Sequence, residues 1–153
     1  MFAPDPYAMA AELVRVCAPG GVIAVLARTP DSPFGQQADI AFRHLPPASA
    51  VGRPRFEAWG DPAMIREFFT GQPADIATTV DSVDVHWPSL EAAVDEVTTL
   101  VPGWVAAHTP LEAAGAWSQA QADVTQVFAS AGHTDDTGFV LPVQYLTTLA
   151  RRV

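Results

Sequence analysis

Few side chains in this sequence stand where they could do chemistry. His44 follows Arg43 at the end of a segment that reads as a short helix, beside a proline-rich stretch. A histidine titrates near neutral pH, so this one is a candidate general base for a small oxygen or nitrogen acceptor. The same position also suits a purely electrostatic role, a cationic ring favoured by the dipole at a helix C-terminus. His86, His108 and His133 have no second ligand at metal spacing, and His133-Thr134-Asp135-Asp136 reads better as an aspartate-rich turn than as a ligand cluster. No metal site is expected. Cys17 is the only cysteine, which excludes an internal disulfide and a cysteine-based zinc site. It falls on the apolar side of its helix, where packing is the expected role rather than nucleophilic work. Trp59, Trp87, Trp104 and Trp117 are scattered, and no Ser/His/Asp motif, phosphate-binding loop or pair of catalytic carboxylates stands out.

The elements that must hold these residues follow from caps and periodicity. Asp5-Pro6 is a helix start, because the aspartate accepts from free N–H groups and proline loses nothing at the first helical position. Met9, Ala10, Leu13, Val14 and Cys17 then recur at helical spacing, and Pro19-Gly20-Gly21 ends the helix. Val22 to Ala27 is apolar without alternation, which predicts a central parallel strand covered on both faces. Thr29 to Pro33 leaves the C-terminal end of that strand, and Phe34 to His44 is a short helix. Asp61-Pro62 repeats the cap signature for a helix over 63–69. Ile76 to Trp87 is β-like with a slip of phase, which a bulge near Asp81-Ser82 would reconcile. Ser89 caps a helix to about Leu100, Pro102-Gly103 breaks it, and Thr109-Pro110 starts another that runs to about Ala131. His133 to Gly138 reads as a turn and Phe139 to Arg151 as the last strand.

Composition narrows the function. The 153 residues read as one domain, residues 1–153, with 49% hydrophobic content and enough chain for a core. All eight basic residues are arginine against 17 acids, a net charge of −9, so neither nucleic acid nor an anionic membrane surface is an expected partner. The longest aliphatic run is too short to span a bilayer, and the first residues lack the basic and apolar regions of a signal peptide. A cytoplasmic location is the expectation.

The segments Met1-Phe2-Ala3-Pro4-Asp5 and Ala11-Glu12-Leu13-Val14-Arg15-Val16-Cys17-Ala18-Pro19-Gly20-Gly21 resemble a class I S-adenosylmethionine-dependent methyltransferase. The likeness continues through Thr29-Pro30, Arg43-His44-Leu45-Pro46-Pro47, Trp59-Gly60 and Pro142-x-x-Tyr145-Leu146, in the order of a small-molecule branch related to the enzymes that methylate quinones. It implies an α/β fold, the C-terminal half of a Rossmann-like methyltransferase sheet. That half has about three strands, the last antiparallel, with flanking helices and a helical insertion. In the full family fold Phe2, Asp5, Thr29 and Phe34 would line the acceptor pocket, with Phe2 and Phe34 as apolar walls; His44 is the candidate catalytic base on its residue type and position. Asp5 has the simpler alternative of a helix cap.

The sequence departs from the family where the cofactor should sit. It has ten glycines, none spaced G-x-G, and no strand ahead of its first helix. The N-terminal cofactor-binding half is therefore expected to be lacking. S-adenosylmethionine belongs to the intact family fold, and this chain alone is expected to bind none and to be inactive. Two partners follow besides a small-molecule acceptor. An apolar strand with an open edge calls for a homodimer or for a separate N-terminal half.

Overall fold

Asp5 opens the first helix as its spacing predicts. Its carboxylate accepts from the Tyr7 N–H at 2.9 Å and the Ala8 N–H at 3.1 Å, with Pro6 leading the helix. In the computed structural model, which describes residues 3, 5–46 and 56–153, this helix is α1 (Pro6–Val16). It is followed by β1 (Val22–Arg28), α2 (Pro33–His44), a 3-10 turn (Phe56–Gly60), α3 (Pro62–Phe68) and β2 (Ala74–Trp87). Then come α4 (Leu90–Leu100), α5 (Pro102–Ala113), α6 (Trp117–Ala131), β3 (His133–Asp135) and β4 (Gly138–Arg152). The protein is mixed α/β. Strand order is β1-β4-β2, with β3 added to the start of β4; β1 and β3 both pair antiparallel with β4. No helix among the described residues is long and apolar enough to cross a membrane.

The described residues form two compact units, one from 1–32, 54–82 and 144–153, the other from 33–53 and 83–143. In the first, α1 sets Ala10 and Val14 against Ile23 and Ala27 of β1, Leu146 and Ala150 of β4, and Trp59, Ile65 and Phe68. Each large apolar side chain fully buried there contributes about 1.5–3 kcal/mol. Gly60 closes this core at one point: a Cβ there would lie 1.8 Å from the Arg28 carbonyl oxygen, so the 3-10 turn rests directly on the end of β1.

The second unit is helical around a separate core, with Trp104, Leu111, Val124, Phe128 and Leu141 buried. Its one deeply buried amide is satisfied on both sides: Gln37 donates to the Phe34 carbonyl at 3.1 Å and accepts from the Trp104 indole N–H. Trp104 and Trp117 meet edge to face at 5.9 Å, as core rather than as an open stacking platform.

Several elements depart from what periodicity predicts. β1 is not covered on both faces. Ile23 and Ala27 are buried, whereas Val22 is 50% and Leu26 58% exposed, so its unbroken apolar run conceals an alternation of burial. Among the described residues β1 pairs with β4 alone, which leaves its other edge open. Thr109-Pro110 does not start a helix. Pro102 does, at the first position, where a missing N–H costs nothing, and Pro110 lies inside α5. The break comes later, at Gly115, whose φ of 66° suits a residue without Cβ. His133–Asp135 is a strand, paired with Gly138–Val140 in a tight hairpin. The turn expected there is its tip, where Asp135 accepts from both the N–H and the hydroxyl of Thr137. In β2 the phase does slip: Ala74, Ile76 and Thr78 are half-buried, residues 79–84 are exposed, and burial resumes at Val85 and Trp87. The slip spans the point where the chain leaves the first unit for the second.

Candidate functional site

His44 closes α2, and its ring does not stand alone. Its Nε2 lies 2.8 Å from Oδ2 of Asp123, in the middle of α6. The other carboxylate oxygen accepts from the Gln119 side-chain amide at 2.9 Å, one helical turn away on the same face. The Arg43 guanidinium is 3.6 Å from Asp123 Oδ2. The His44 hydrogen bond first, and then that from Gln119, hold the Asp123 carboxyl below its ordinary value of 3.8; the charges of His44 and Arg43 add to this. The His44 and Asp123 side chains are 20% and 26% exposed, so the pair is sheltered yet reachable.

Such a pair can orient a base. With Nε2–H donating to the carboxylate, Nδ1 carries the lone pair, and Nδ1 makes no hydrogen bond among the described residues. The arrangement fixes the ring and its tautomer, which a helix-end cation alone would not require. It also ties α2 to α6 inside the second unit. Sequence reasoning reached His44 but not Asp123, 79 positions away, because an acid in the middle of an amphipathic helix carries no local signal.

The other candidates are placed as follows. Phe2 lies outside the described residues. Asp5 caps α1 and also borders a shallow apolar groove of about 440 Å³ along Ala8, Met9, Leu13 and Val16. Thr29, 8% exposed, is held in the turn after β1: its N–H donates to the Gln144 carbonyl at 3.1 Å, and its own carbonyl accepts from the N–H and hydroxyl of Ser32. Phe34 stacks on Trp87 at 6.2 Å and on Phe128 at 5.9 Å, so its ring faces the core of the second unit. Phe34 and His44 stand at opposite ends of α2, about 15 Å apart along its axis, and share no site. Asp5 and Thr29 belong to the first unit. A larger cleft of about 820 Å³ in the second unit, between α4 and α6, is lined by Ser89, Glu91, Asp95, Gln121 and Thr125 and by none of the candidates.

Among the described residues no group of three His, Cys, Asp or Glu side chains converges. The glycines with positive φ are Gly20, Gly71, Gly115 and Gly138. Gly20 and Gly71 lie between a helix and a strand, Gly115 between two helices, and Gly138 in a hairpin. None of these four lies in a turn from a strand into a helix, the place of the cofactor loop in the family that the sequence resembles.

No family model matches the chain. It is 42% identical over 65 residues to an uncharacterized protein of Mycobacterium bovis, and equally so to uncharacterized proteins of two Mycobacterium tuberculosis strains, CDC 1551 and H37Rv. The match takes in 42% of this chain and spans 23% of the length of each of those curated relatives.

Proposed function

We propose that this chain is the acceptor side of a class I S-adenosylmethionine-dependent methyltransferase for a small molecule, located in the cytoplasm and inactive by itself. The observation that carries the reading is the place of the last strand. β4 lies between β1 and β2 and runs antiparallel to β1, the strand that follows the Pro-Gly-Gly turn. An antiparallel last strand is what the resemblance implies. The turn supports it too: Gly20 has φ 75°, Gly21 N–H closes on the Ala18 carbonyl, and Gly20 N–H reaches the Arg152 carbonyl of β4. On this reading His44, oriented by Asp123, takes the proton that the acceptor loses, and the protein's remaining work is positioning. The cofactor's grip comes from polypeptide other than these residues.

The test has two arms. The isolated chain, titrated calorimetrically with S-adenosylmethionine, gives no saturable heat; a micromolar Kd would overturn the expectation that it lacks the cofactor site. The endogenous protein, isolated from its own cells, weighs more than 16.2 kDa or copurifies with a second polypeptide, and is photolabelled by S-adenosylmethionine. Absence of labelling in every endogenous form would sink the methyltransferase reading.

A second reading is favoured by the open edge of β1 together with exposed Val22 and Leu26. It takes the chain as a non-catalytic module that pairs through this edge with a second copy or with a separate N-terminal half. Sedimentation distinguishes the two: a concentration-dependent dimer supports this reading, and a monomer at all concentrations removes the second copy.

A further inference from the structure

We infer that Arg28 and Tyr145 form a recognition site for the carboxylate of a small molecule with an apolar body. The inference starts from an unmatched charge. Arg15 pairs with Glu12, Arg43 with Asp123, Arg66 with the Pro62 carbonyl, Arg151 with the Gly20 carbonyl, and Arg152 with the carbonyls of Arg15 and Cys17. Arg28 has no hydrogen-bond or ion-pair partner among the described residues, although its Nε is buried. A buried guanidinium N–H without an acceptor is costly, and a built protein supplies one from its ligand where its own atoms supply none.

The surroundings say what that acceptor is. Arg28 is the last residue of β1. Directly across the ladder is Tyr145 of β4, half-buried, whose hydroxyl makes no hydrogen bond among the described residues. Opposed side chains in a sheet start about 5 Å apart, so a fork of N–H donors and a phenolic O–H share one small space. All are donors toward an anion, and the guanidinium fork matches the two oxygens of a carboxylate. The next pair inward on the same face is Leu26 with Thr147, followed by Ala24 with Leu149; Leu26 is 58% and Leu149 45% exposed. A ligand with its carboxylate on Arg28 would lay its body along this apolar strip. Bare phosphate has no body to use it.

The frame is rigid. Gly60 presses on the Arg28 carbonyl, and the turn beyond is locked by Thr29 and Ser32. The nearest acid in sequence, Asp31, is exposed. This inference rests on the methyltransferase reading only for calling the ligand an acceptor; the anion site stands on its own residues.

The experiment uses the full chain, near neutral pH, with no cofactor. Benzoate is titrated while the Arg28 side-chain Nε–Hε and the backbone amides are followed by NMR, with inorganic phosphate and benzyl alcohol in parallel. Benzoate shifts the Arg28 Nε–Hε signal and the Thr29 amide with one saturating curve, and binds at least about ten-fold more tightly than either control. Arg28→Gln weakens benzoate by about ten-fold or more, Arg28→Lys by less, since charge remains while the fork is lost, and Tyr145→Phe by a few-fold. Amide spectra distant from residue 28 establish that the variants fold, and the wild-type Nε–Hε signal needs no variant. Unchanged benzoate affinity in Arg28→Gln, or a silent Arg28 signal in wild type, overturns the site. Phosphate binding as tightly as benzoate overturns the apolar-bodied ligand, and benzyl alcohol binding as tightly overturns the charge. Because no arm contains S-adenosylmethionine, failure here is separate from failure of photolabelling.

Discussion

Two basic side chains, one in each unit, have opposite fates. His44 in the second unit finds a carboxylate, and that carboxylate is itself held by Gln119. Arg28 in the first unit ends a strand with a buried Nε and no acceptor. In the second unit the buried amide of Gln37 is likewise satisfied, between Phe34 and Trp104. The first leaves a buried donor without an acceptor and, among the described residues, an open sheet edge beside an exposed apolar strip. A charge already answered holds helices together or orients a ring. A charge left unanswered at a strand end is arranged for something that arrives.

The comparison can be broken at several points. The largest effect is expected at Gly60→Ala, whose added methyl would meet the Arg28 carbonyl at 1.8 Å. Backbone there has no soft neighbour to yield, so denaturant unfolding should show a loss of about 3 kcal/mol or more. An unchanged midpoint would mean that Gly60 does not brace the Arg28 frame. Next is His44→Ala, which on the proposed methyltransferase reading lowers turnover of the endogenous protein by about 10²-fold or more while leaving photolabelling intact. Equal turnover would reduce the His44–Asp123 pair to a structural tie.

Asp123→Asn should cost less, under about 1 kcal/mol, because both partners are partly exposed. Its pH dependence carries the sign. The folded carboxyl titrates below its ordinary 3.8, so its contribution is complete above the unfolded value and fades as pH falls below 3.8 toward the folded one. Melting temperatures of wild type and Asp123→Asn should therefore differ at pH 6 and converge in acid. A gap that widens as pH falls would contradict the assignment. The smallest effect is at Arg28→Gln, where no protein partner is lost. Stability should stay within about 0.5 kcal/mol of wild type, in contrast to Asp123→Asn. A marked loss would reveal a partner for Arg28 in the free protein.

Local chemistry made much of the fold legible. Asp5, Asp61 and Ser89 each cap the helix they were expected to open, with the side-chain oxygen on a backbone N–H two or three residues on. The strand after Pro-Gly-Gly and the last strand also fall where expected. Errors arose where tertiary context decides. Pro110 is a helix-start signal by composition, yet Pro102 had already begun α5, and the chain turned only at Gly115. The apolar run of β1 carries no mark of which face is covered; Val22 and Ile23 look alike in sequence, yet Val22 is 50% exposed and Ile23 9%. His133–Asp135 is too short for alternation to show and owes its strand character to the β4 ladder.

The site was legible in part for the same reason. His44 is visible by type, and Asp5 by its cap, but the acid that orients His44 and the phenol opposite Arg28 are supplied by the far end of the chain. Thr29 was read as a ligand-facing residue; its N–H donates to the Gln144 carbonyl and its carbonyl accepts from Ser32, and the neighbour one position earlier holds the unpaired donor.

The open edge of β1 has a consequence for the chain as a material. Val22 to Ala27 is laddered to β4 along one edge, and among the described residues the backbone groups on its other edge are unpaired, with neither proline nor a charged side chain in the run. Encounters between two such edges are second order. The shelf life of the purified chain will therefore be governed by concentration rather than by its melting temperature, and dilution will protect it more than cooling.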